Sequence, residues 1–285
     1  MKPARKTFAL LLLLAGLFGG AYGQANLIWV TNSAQITITD WTGSPAEITI
    51  PDHINGLPVT EIGEFAFINN ETLSSVTFGT NVVEIGFASF QACISLSSIT
   101  IPSGVTNLGS YAFYGCRGLS GVTMPDSVKS IGIYAFAGCI GLSSFTIPPG
   151  VSTISDRVFW GCIGLAEIRA GAGVSSVYEG AFANCTNLAS IYFSGAAPEF
   201  DPNTFAVFDE EDSNVGAIPA TAYILAGADG WPTPPAGVGS YPSIPTAYYT
   251  PSGGDPLATG LPKIYGVSNY SRAFGLPAKR IKRIF

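Results

Sequence analysis

The sequence predicts a predominantly β repeat solenoid of stacked parallel strands, with few or very short helices and a cap at each end. A phenylalanine recurs with a 23-residue period without slippage, and other apolar residues recur at fixed offsets from it. Each unit also contains a short stretch in which β-branched residues alternate with Ser or Thr. A period of about 20 to 50 residues is typical of stacked arrays, and that alternation is typical of a strand.

The repeated apolar positions define the predicted core. They are Phe67, Phe90, Phe113, Phe136, Phe159 and Phe182; six residues later Leu73, Leu96, Leu119, Leu142, Leu165 and Leu188; and three residues after the phenylalanine Cys93, Cys116, Cys139, Cys162 and Cys185. One unit cannot bury these side chains alone, so stacked units must bury them against their copies. We assign residues 46–195 to six 23-residue units that follow an entry turn.

Residues 1–23 have the pattern of a secretory signal peptide. Lys2, Arg5 and Lys6 precede an apolar run over residues 8–18, and small residues lead up to Gly23. A membrane anchor is the alternative, but the run is shorter than the roughly 20 residues that span a bilayer. We predict a signal peptide over residues 1–23, and a secreted or cell-surface chain without a transmembrane anchor after cleavage.

The segments that flank the repeats differ in composition. Residues 24–45 alternate like paired strands and are predicted to form the N-terminal cap, and residues 196–245 the C-terminal cap, with Trp231 as its lid. Residues 24–245 carry four basic and eighteen acidic side chains, a charge that should repel nucleic acid. Residues 246–285 form a Pro/Gly-rich tail with a basic end at Lys279–Arg283, which we expect to be disordered and solvated. Contact of that end with an anionic surface is the alternative.

One unit also carries a family resemblance. Residues 131–148 read Ile-Gly-Ile-Tyr-Ala-Phe-Ala-Gly-Cys-Ile-Gly-Leu-Ser-Ser-Phe-Thr-Ile-Pro, which resembles the BspA-like leucine-rich repeat pattern Ile-Gly-x-x-Ala-Phe-x-x-Cys-x-x-Leu-x-x-Val-x-Ile-Pro. Departures are modest: Asn70 replaces Cys, Ala170-Gly171 replaces Ile-Pro, and Ser155 and Tyr178 replace Gly. The resemblance implies a leucine-rich-repeat solenoid, and a secreted or surface-exposed bacterial or protist protein used for adhesion and partner binding. No catalytic motif travels with the repeat.

The cysteines recur with the repeat, which leaves three interpretations. Reduced, buried packing is favoured, because free Cys behaves as a small hydrophobic side chain and an odd number must leave one unpaired. Disulfides between neighbouring layers are the alternative in an exported chain, although parallel side chains strain that geometry. A zinc site is disfavoured, because the series contains no closely spaced Cys pair.

Two other groups are candidates for chemical sites. His53 is the only histidine, which removes any triad that needs a second one, and a surface loop residue is favoured over a base or ligand. The acidic run Asp209–Asp212 offers oxygen ligands for calcium but lacks the alternating spacing of a calcium loop, so a solvated loop is favoured. We therefore expect no metal, no cofactor and no catalytic residue.

The outward positions of the repeated strands form the candidate binding face. They are Ser75, Thr77, Ser98, Thr100, Thr123, Ser144 and Thr146, followed by Glu167, Arg169 and Tyr192. Cross-strand pairing of hydroxyl side chains explains such a face without a ligand, and reception of a protein or glycan is the functional alternative. Aromatics near the phenylalanine turn, at Phe65, Tyr111, Tyr114, Tyr134 and Trp160, are interpreted as edge packing in preference to sugar stacking.

The predicted function is a secreted or surface-exposed, non-catalytic binding or adhesion module. Its expected partner is an extracellular protein or glycan, and the chain is expected to be monomeric. A structural envelope or matrix component that self-associates is the first alternative. A hydrolase is the second, disfavoured because the repeats contain almost no converging acids, nucleophiles or metal ligands.

Overall fold

The computed structural model describes residues 26–196, 198–201, 203–208, 214–217, 221–225 and 246–249. Within them the chain winds through about seven turns of a β-solenoid, and no helix is present in these ranges. The predicted fold is thereby confirmed. The signal peptide, the Asp209–Asp212 run, Trp231 and the basic end of the tail lie outside the described residues.

From β6 to β17, each coil contributes one strand of three or four residues and one strand of two residues. In chain order the strands are β1 (Asn26–Asn32), β2 (Gln35–Thr42), β3 (Glu47–Thr49), β4 (His53–Ile54), β5 (Leu57–Ile62), β6 (Ser75–Thr77), β7 (Glu84–Ile85), β8 (Ser98–Thr100), β9 (Asn107–Leu108), β10 (Gly121–Thr123), β11 (Ser130–Ile131), β12 (Ser144–Ile147), β13 (Thr153–Ile154), β14 (Glu167–Ala170), β15 (Ser176–Val177), β16 (Ser190–Phe193), β17 (Glu199–Phe200), β18 (Ala206–Phe208), β19 (Asn214–Ala217), β20 (Thr221–Leu225) and β21 (Thr246–Tyr249). Ser, Thr and β-branched residues suit such short, half-buried strands.

Parallel pairing between coils builds two walls of the solenoid. One wall contains the strands in the order β2-β5-β7-β9-β11 and continues as β13-β15-β17, and we call it the short-strand wall because its strands from β7 onward have two residues each. The other contains the longer strands, paired as β3-β6, β8-β10 and β12-β14-β16-β20-β21, with β6 beside β8 and β10 beside β12. Register is fixed, because each residue pairs with its equivalent in the next coil through most of the repeats.

The core is a column of stacked rings between these walls. The repeated phenylalanines, leucines and cysteines are all buried. From Phe67 to Phe182, successive ring centroids of the column lie 5.1, 5.3, 5.4, 5.9 and 5.7 Å apart, with interplanar angles of at most 13°. Burial of this apolar surface in one continuous column makes the stability of the coils collective.

The widest step of the column has a local cause. Phe145 stands where most other coils have Val or Ile, and its ring lies 4.9 Å from Phe136 and 4.8 Å from Phe159. Ser155 also replaces the glycine found four residues before the phenylalanine in the first four units. A Cβ on one such glycine, Gly109, would lie 2.5 Å from backbone of the preceding coil. Larger residues at both positions account for the wider step.

The N-terminal end of the column is closed by a hairpin. β1 pairs antiparallel with β2, and β2 pairs in parallel with β5, so residues 26–42 extend the short-strand wall by two strands. Ile36 and Ile38 of β2 are buried against the core. The loop insertion that contains His53 forms a second, smaller hairpin, in which β4 pairs antiparallel with β5.

At the other end the solenoid continues beyond residue 195, into the segment 196–245 that was expected to form the C-terminal cap. Phe205 stands one period after Phe182 and stacks on it at 5.5 Å and 15°, and β17 pairs with β15. The longer strand of this coil is delayed, because Ser190 pairs with Thr221, which lies more than one period further along the chain. The β18–β19 hairpin occupies part of the extra length and hides the period in the sequence.

The beginning of the tail is also structured. β21 pairs in parallel with β20, so residues 246–249 add a strand to the long-strand wall. These residues belong to the segment that was predicted to be disordered. Backbone hydrogen bonds to an open sheet edge require no apolar period, which is why the composition of the tail did not indicate this strand.

Candidate functional site

The described residues offer little for catalysis or metal binding. No group of three or more His, Cys, Asp or Glu side chains that could hold a metal ion occurs among them. His53 is exposed on β4. The neighbouring Asp52 accepts hydrogen bonds from the backbone N and Oγ1 of Thr80 at 2.5 and 2.8 Å, and these bonds hold its pKa below the ordinary value. Asp52 therefore anchors a loop.

The five thiols form a buried series. Each Sγ donates to the carbonyl oxygen of the phenylalanine 26 residues earlier, at 3.0 to 3.2 Å, and all five cysteines are free. Burial raises the pKa of Cys93 and Cys162 to about 12 from an ordinary 9.0, and raises those of the other three well above that value. A thiol needs its thiolate form to react or to bind metal, so these groups pack as core side chains.

The predicted binding face lies on the outer side of the long-strand wall, which we call the long-strand face. Thr77, Ser98, Thr100, Thr123, Ser144 and Thr146 are exposed there, while Ser75, Glu167, Arg169 and Tyr192 are half-buried. Thr100 pairs in register with Thr123, and Thr146 with Arg169 and then Tyr192. These ten side chains form one continuous surface, whose hydroxyl part is uncharged.

The end of this face at β14 and β16 differs from the rest. Arg169 Nε donates to Glu167 Oε1 at 2.6 Å, and its guanidinium carbon lies 5.3 Å from the centroid of the Tyr192 ring. The guanidinium is thus engaged by a carboxylate and by an aromatic face at once. Internal pairing of this kind orders the three side chains and leaves little charge for a partner.

Between the shorter and the longer strand of each coil lies the turn that carries the repeated phenylalanine. We call the segments from four residues before to four after each of these phenylalanines the turn edge. Its backbone N–H groups alternate in direction: those of Tyr111, Phe113 and Gly115 donate to carbonyls of the next coil at 2.7 to 2.9 Å, and those of Ala112 and Tyr114 donate three residues back within the coil. The turn therefore joins neighbouring coils by backbone hydrogen bonds without being a strand.

Two residues of every turn adopt positive φ. The first left-handed position, two before the phenylalanine, is occupied by Phe65, Ala88, Tyr111, Tyr134, Arg157 and Gly180, with φ of 50 to 61°. The second, two after it, is occupied by Asn69, Ala92, Gly115, Gly138, Gly161 and Asn184, with φ of 57 to 70°. Gly and Asn are the residues that tolerate this region, whereas Phe and Tyr there are outliers.

Aromatic side chains follow one another along the turn edge. The aromatic row consists of Phe65, Phe87, Tyr111, Tyr114 and Tyr134, whose successive ring contacts span 4.9 to 6.2 Å. The Arg157 guanidinium carbon lies 5.8 Å from the Tyr134 centroid and extends the row by one coil. Trp160 occupies the same turn position as Tyr114, two coils later, and is half-buried.

Exposed apolar surface is concentrated on this edge. Of the nine large hydrophobic side chains exposed in the described part of the chain, seven belong to the turn edge: Phe65, Phe87, Ile94, Ile133, Ile140, Ile163 and Tyr178. None belongs to the long-strand face. Five turn aromatics were expected from the sequence, but Phe87 and the isoleucines were not. The feature of the sequence that could have identified them is the presence of large apolar residues at turn positions that face away from the repeated phenylalanine.

Comparison with known proteins identifies similar chains in both sequence and structure. A family model for the BspA type leucine-rich repeat region matches residues 42–127 and 106–214, in six copies. A search of curated proteins found no match. The crystal structure of the leucine-rich repeat protein TpLRR of T. pallidum is 29% identical with a TM-score of 0.57, covering 61% of this chain and 82% of that one. A leucine-rich repeat protein from Bacteroides ovatus is 19% identical with a TM-score of 0.43, covering 74% and 72%.

Across the described ranges, no helix has the length and apolar character needed to cross a bilayer.

Proposed function

Because the chain belongs to the BspA type leucine-rich repeat family, we propose that it is a non-catalytic module that binds an extracellular macromolecule, at the cell surface or after secretion. The observation that carries this proposal is the distribution of its side chains. In the described part of the chain, titratable and nucleophilic groups are scattered or buried, while two long outer surfaces are open along the solenoid. A rod with a filled core and extended flanks suits recognition of a large partner.

Export is part of the proposal and rests on residues 1–23, whose basic start, apolar run and small residues before Gln24 are those of a cleaved signal. Expression of the full chain in a bacterial host should yield an exported product that begins at Gln24, determined by N-terminal sequencing. Deletion of residues 2–23 should retain the protein inside the cell. Export of the deleted form would contradict this part.

Binding is tested with the exported chain against purified extracellular matrix proteins and an immobilised glycan array. We expect saturable binding to at least one of these probes, and no turnover in a broad hydrolase screen at high protein concentration. Light scattering over a concentration series is the matched control, because a matrix component would assemble without any probe. Assembly without saturable binding would replace the proposed function by a structural one.

A further inference from the structure

The two left-handed positions of each turn share one backbone geometry but carry different residues. The second position holds Gly or Asn in five of six coils, as steric strain demands. The first position holds Phe65, Tyr111, Tyr134 and Arg157 in four of six. Stability of the turn alone would select the same small residues at both. Bulky residues keep the backbone strain at the first position and not at the second, and this points to a role for the side chains at the first position.

The core does not need these rings. Gly180 and Ala88 occupy the first position in other coils, and the phenylalanine beside each of them is fully buried all the same. Phe65 and Phe87 are 45% and 38% exposed, so much of their surface remains in water. The aromatic row is therefore an outer layer on a core that is complete without it.

Ring orientation distinguishes a protein partner from a glycan. Tyr111 and Tyr134 stack on each other at 4.9 Å and 17°, and the other four contacts of the row are tilted or edge-to-face at 51 to 75°, so every ring of the row packs against a neighbouring ring. Stacking of sugar rings requires open aromatic faces. Tyr, Phe and Arg in partly buried clusters are instead the residues enriched at protein interfaces. Rings that pack against one another in this way favour a protein.

Charge at the rim indicates the chemistry of that protein. Glu64 precedes Phe65 and is exposed, and Asp156 and Glu179 occupy the same turn position in the fifth and sixth coils. The turn edge carries two cations, Arg157, which pairs with Glu179 at 3.5 Å, and Arg117, against four acids once Glu71 is included. The aromatic row is thus bordered by net negative charge. A partner that carries Lys or Arg beside apolar side chains complements both features.

We propose that the aromatic row is the contact site for a protein partner that presents basic residues next to apolar ones. This inference rests on the proposed binding function and names its surface. It differs from the prediction made from sequence, which placed the candidate face on the strands. The acidic rim selects the sign of the partner's charge, and the aromatic row supplies the desolvated centre of the contact.

The test uses the full exported chain and a double variant, Tyr111→Gly and Tyr134→Gly. Gly relieves the strained backbone, so the urea midpoint of unfolding should stay level or rise. A phage-displayed library of random peptides is the probe. Selection on the unmodified chain should enrich peptides rich in Lys or Arg with aromatic residues, and the double variant should bind them at least about tenfold more weakly.

Two matched variants keep the test decisive. Phe65→Asn keeps a residue that tolerates positive φ, removes an exposed ring, and should weaken binding separately. Thr100→Ala with Thr123→Ala alters the long-strand face and should leave binding unchanged. A fall in the midpoint of the double variant would make the row structural and overturn the inference.

Four other outcomes would also overturn the inference. They are the absence of enriched peptides, the enrichment of acidic peptides, peptide binding that neither aromatic variant weakens, and glycan binding that the double variant abolishes. Binding lost only in the threonine variant would reject this surface while the proposed function survives.

Discussion

The turn edge and the long-strand face are formed by the same coils, yet they are built differently. On the long-strand face, short hydroxyl side chains stand on ordinary strand backbone and pair in register with their neighbours. On the turn edge, large apolar side chains stand beside backbone of positive φ and leave much of their surface in water. The first arrangement is what sheet stability favours, and the second costs stability.

The difference teaches where to look for function on a repeat protein. A surface whose residues follow from the geometry of the coil, such as the serines and threonines, needs no partner to explain it. A surface that departs from the locally stable choice in the same place in several coils does need an explanation. By this criterion the turn edge is the stronger candidate, although the long-strand face is the larger regular surface.

The largest expected effect is a loss of stability at high pH, caused by the buried thiols of the turn edge. Unfolded thiols lose protons near pH 9, whereas folded Cys93 and Cys162 keep theirs to about pH 12. The unfolded state thus binds fewer protons above pH 9, and stability present below that pH is lost as pH rises. Each such thiol should contribute a slope of about 1.4 kcal/mol per pH unit.

Urea unfolding from pH 7 to 11 measures this loss. Thr146 on the long-strand face has no group that titrates in this range, so Thr146→Ala should leave the pH profile unchanged, whereas Cys162→Ala should flatten it. A midpoint that stays constant up to pH 11 would mean that the thiols are not buried as described.

The next largest effect is the loss of stability when a ring is removed from the phenylalanine column, compared with the removal of a surface side chain from the same coil. Phe136→Ala removes a fully buried ring stacked between two others and should destabilise the protein by about 3 to 5 kcal/mol. Thr146→Ala on the long-strand face should change the free energy of unfolding by less than about 0.5 kcal/mol. Both are read from urea midpoints. Similar losses for the two would show that the face contributes to the core.

The same substitution, Gly to Ala, made once in each region tests the backbone conformation of that region. Gly115 has a φ of 69° with no atom within 4 Å of an added Cβ, so Gly115→Ala adds backbone strain alone and should cost about 1 to 2 kcal/mol. Gly121 on β10 lacks positive φ, and an added Cβ would lie 3.8 Å from Ser98 Cβ. Gly121→Ala should therefore stabilise by about 0.5 to 1 kcal/mol. Equal signs for the two changes would contradict the assigned turn geometry.

The smallest effect is expected from the removal of one hydroxyl group from the turn edge and one from the long-strand face. Ser89 Oγ is buried beneath the turn edge without a hydrogen-bond partner among the described residues, at a position that Ala66 and Ala112 occupy in adjacent coils. Ser89→Ala should stabilise by about 1 kcal/mol, because an unsatisfied buried hydroxyl is removed. Ser98→Ala, on the exposed face, should be neutral within about 0.5 kcal/mol. Destabilisation by Ser89→Ala would reveal a partner for that hydroxyl.

Much of the fold could be predicted, because a strict period transfers information between coils. Phe113 and Phe136 must occupy equivalent places once the period is known, and their burial follows from stacking. The seventh coil escaped prediction although Phe205 keeps the spacing, because an inserted hairpin moved its longer strand. The strand at residues 246–249 escaped as well, since backbone pairing leaves no period in the sequence.

The candidate site was less accessible to the same reasoning. Alternation places Thr100 and Thr123 on one outward face without any structure, because side chains of a strand alternate between two sides. No such rule places Tyr111 against Tyr134, since both lie in a turn whose direction depends on two residues of positive φ. The aromatic residues were visible in the sequence, but their contacts, their strain and their acidic rim were not.

The sequence by itself determined the period, the residues of the column and the outward face of each strand, because repetition and alternation are one-dimensional patterns. The tertiary structure alone decided where the column ends, which backbone positions are strained, and which exposed rings from different coils meet. Those properties depend on the path of the backbone through each turn and on the distance between coils. Side chains one period apart, such as Tyr111 and Tyr134, become neighbours only when the coils stack.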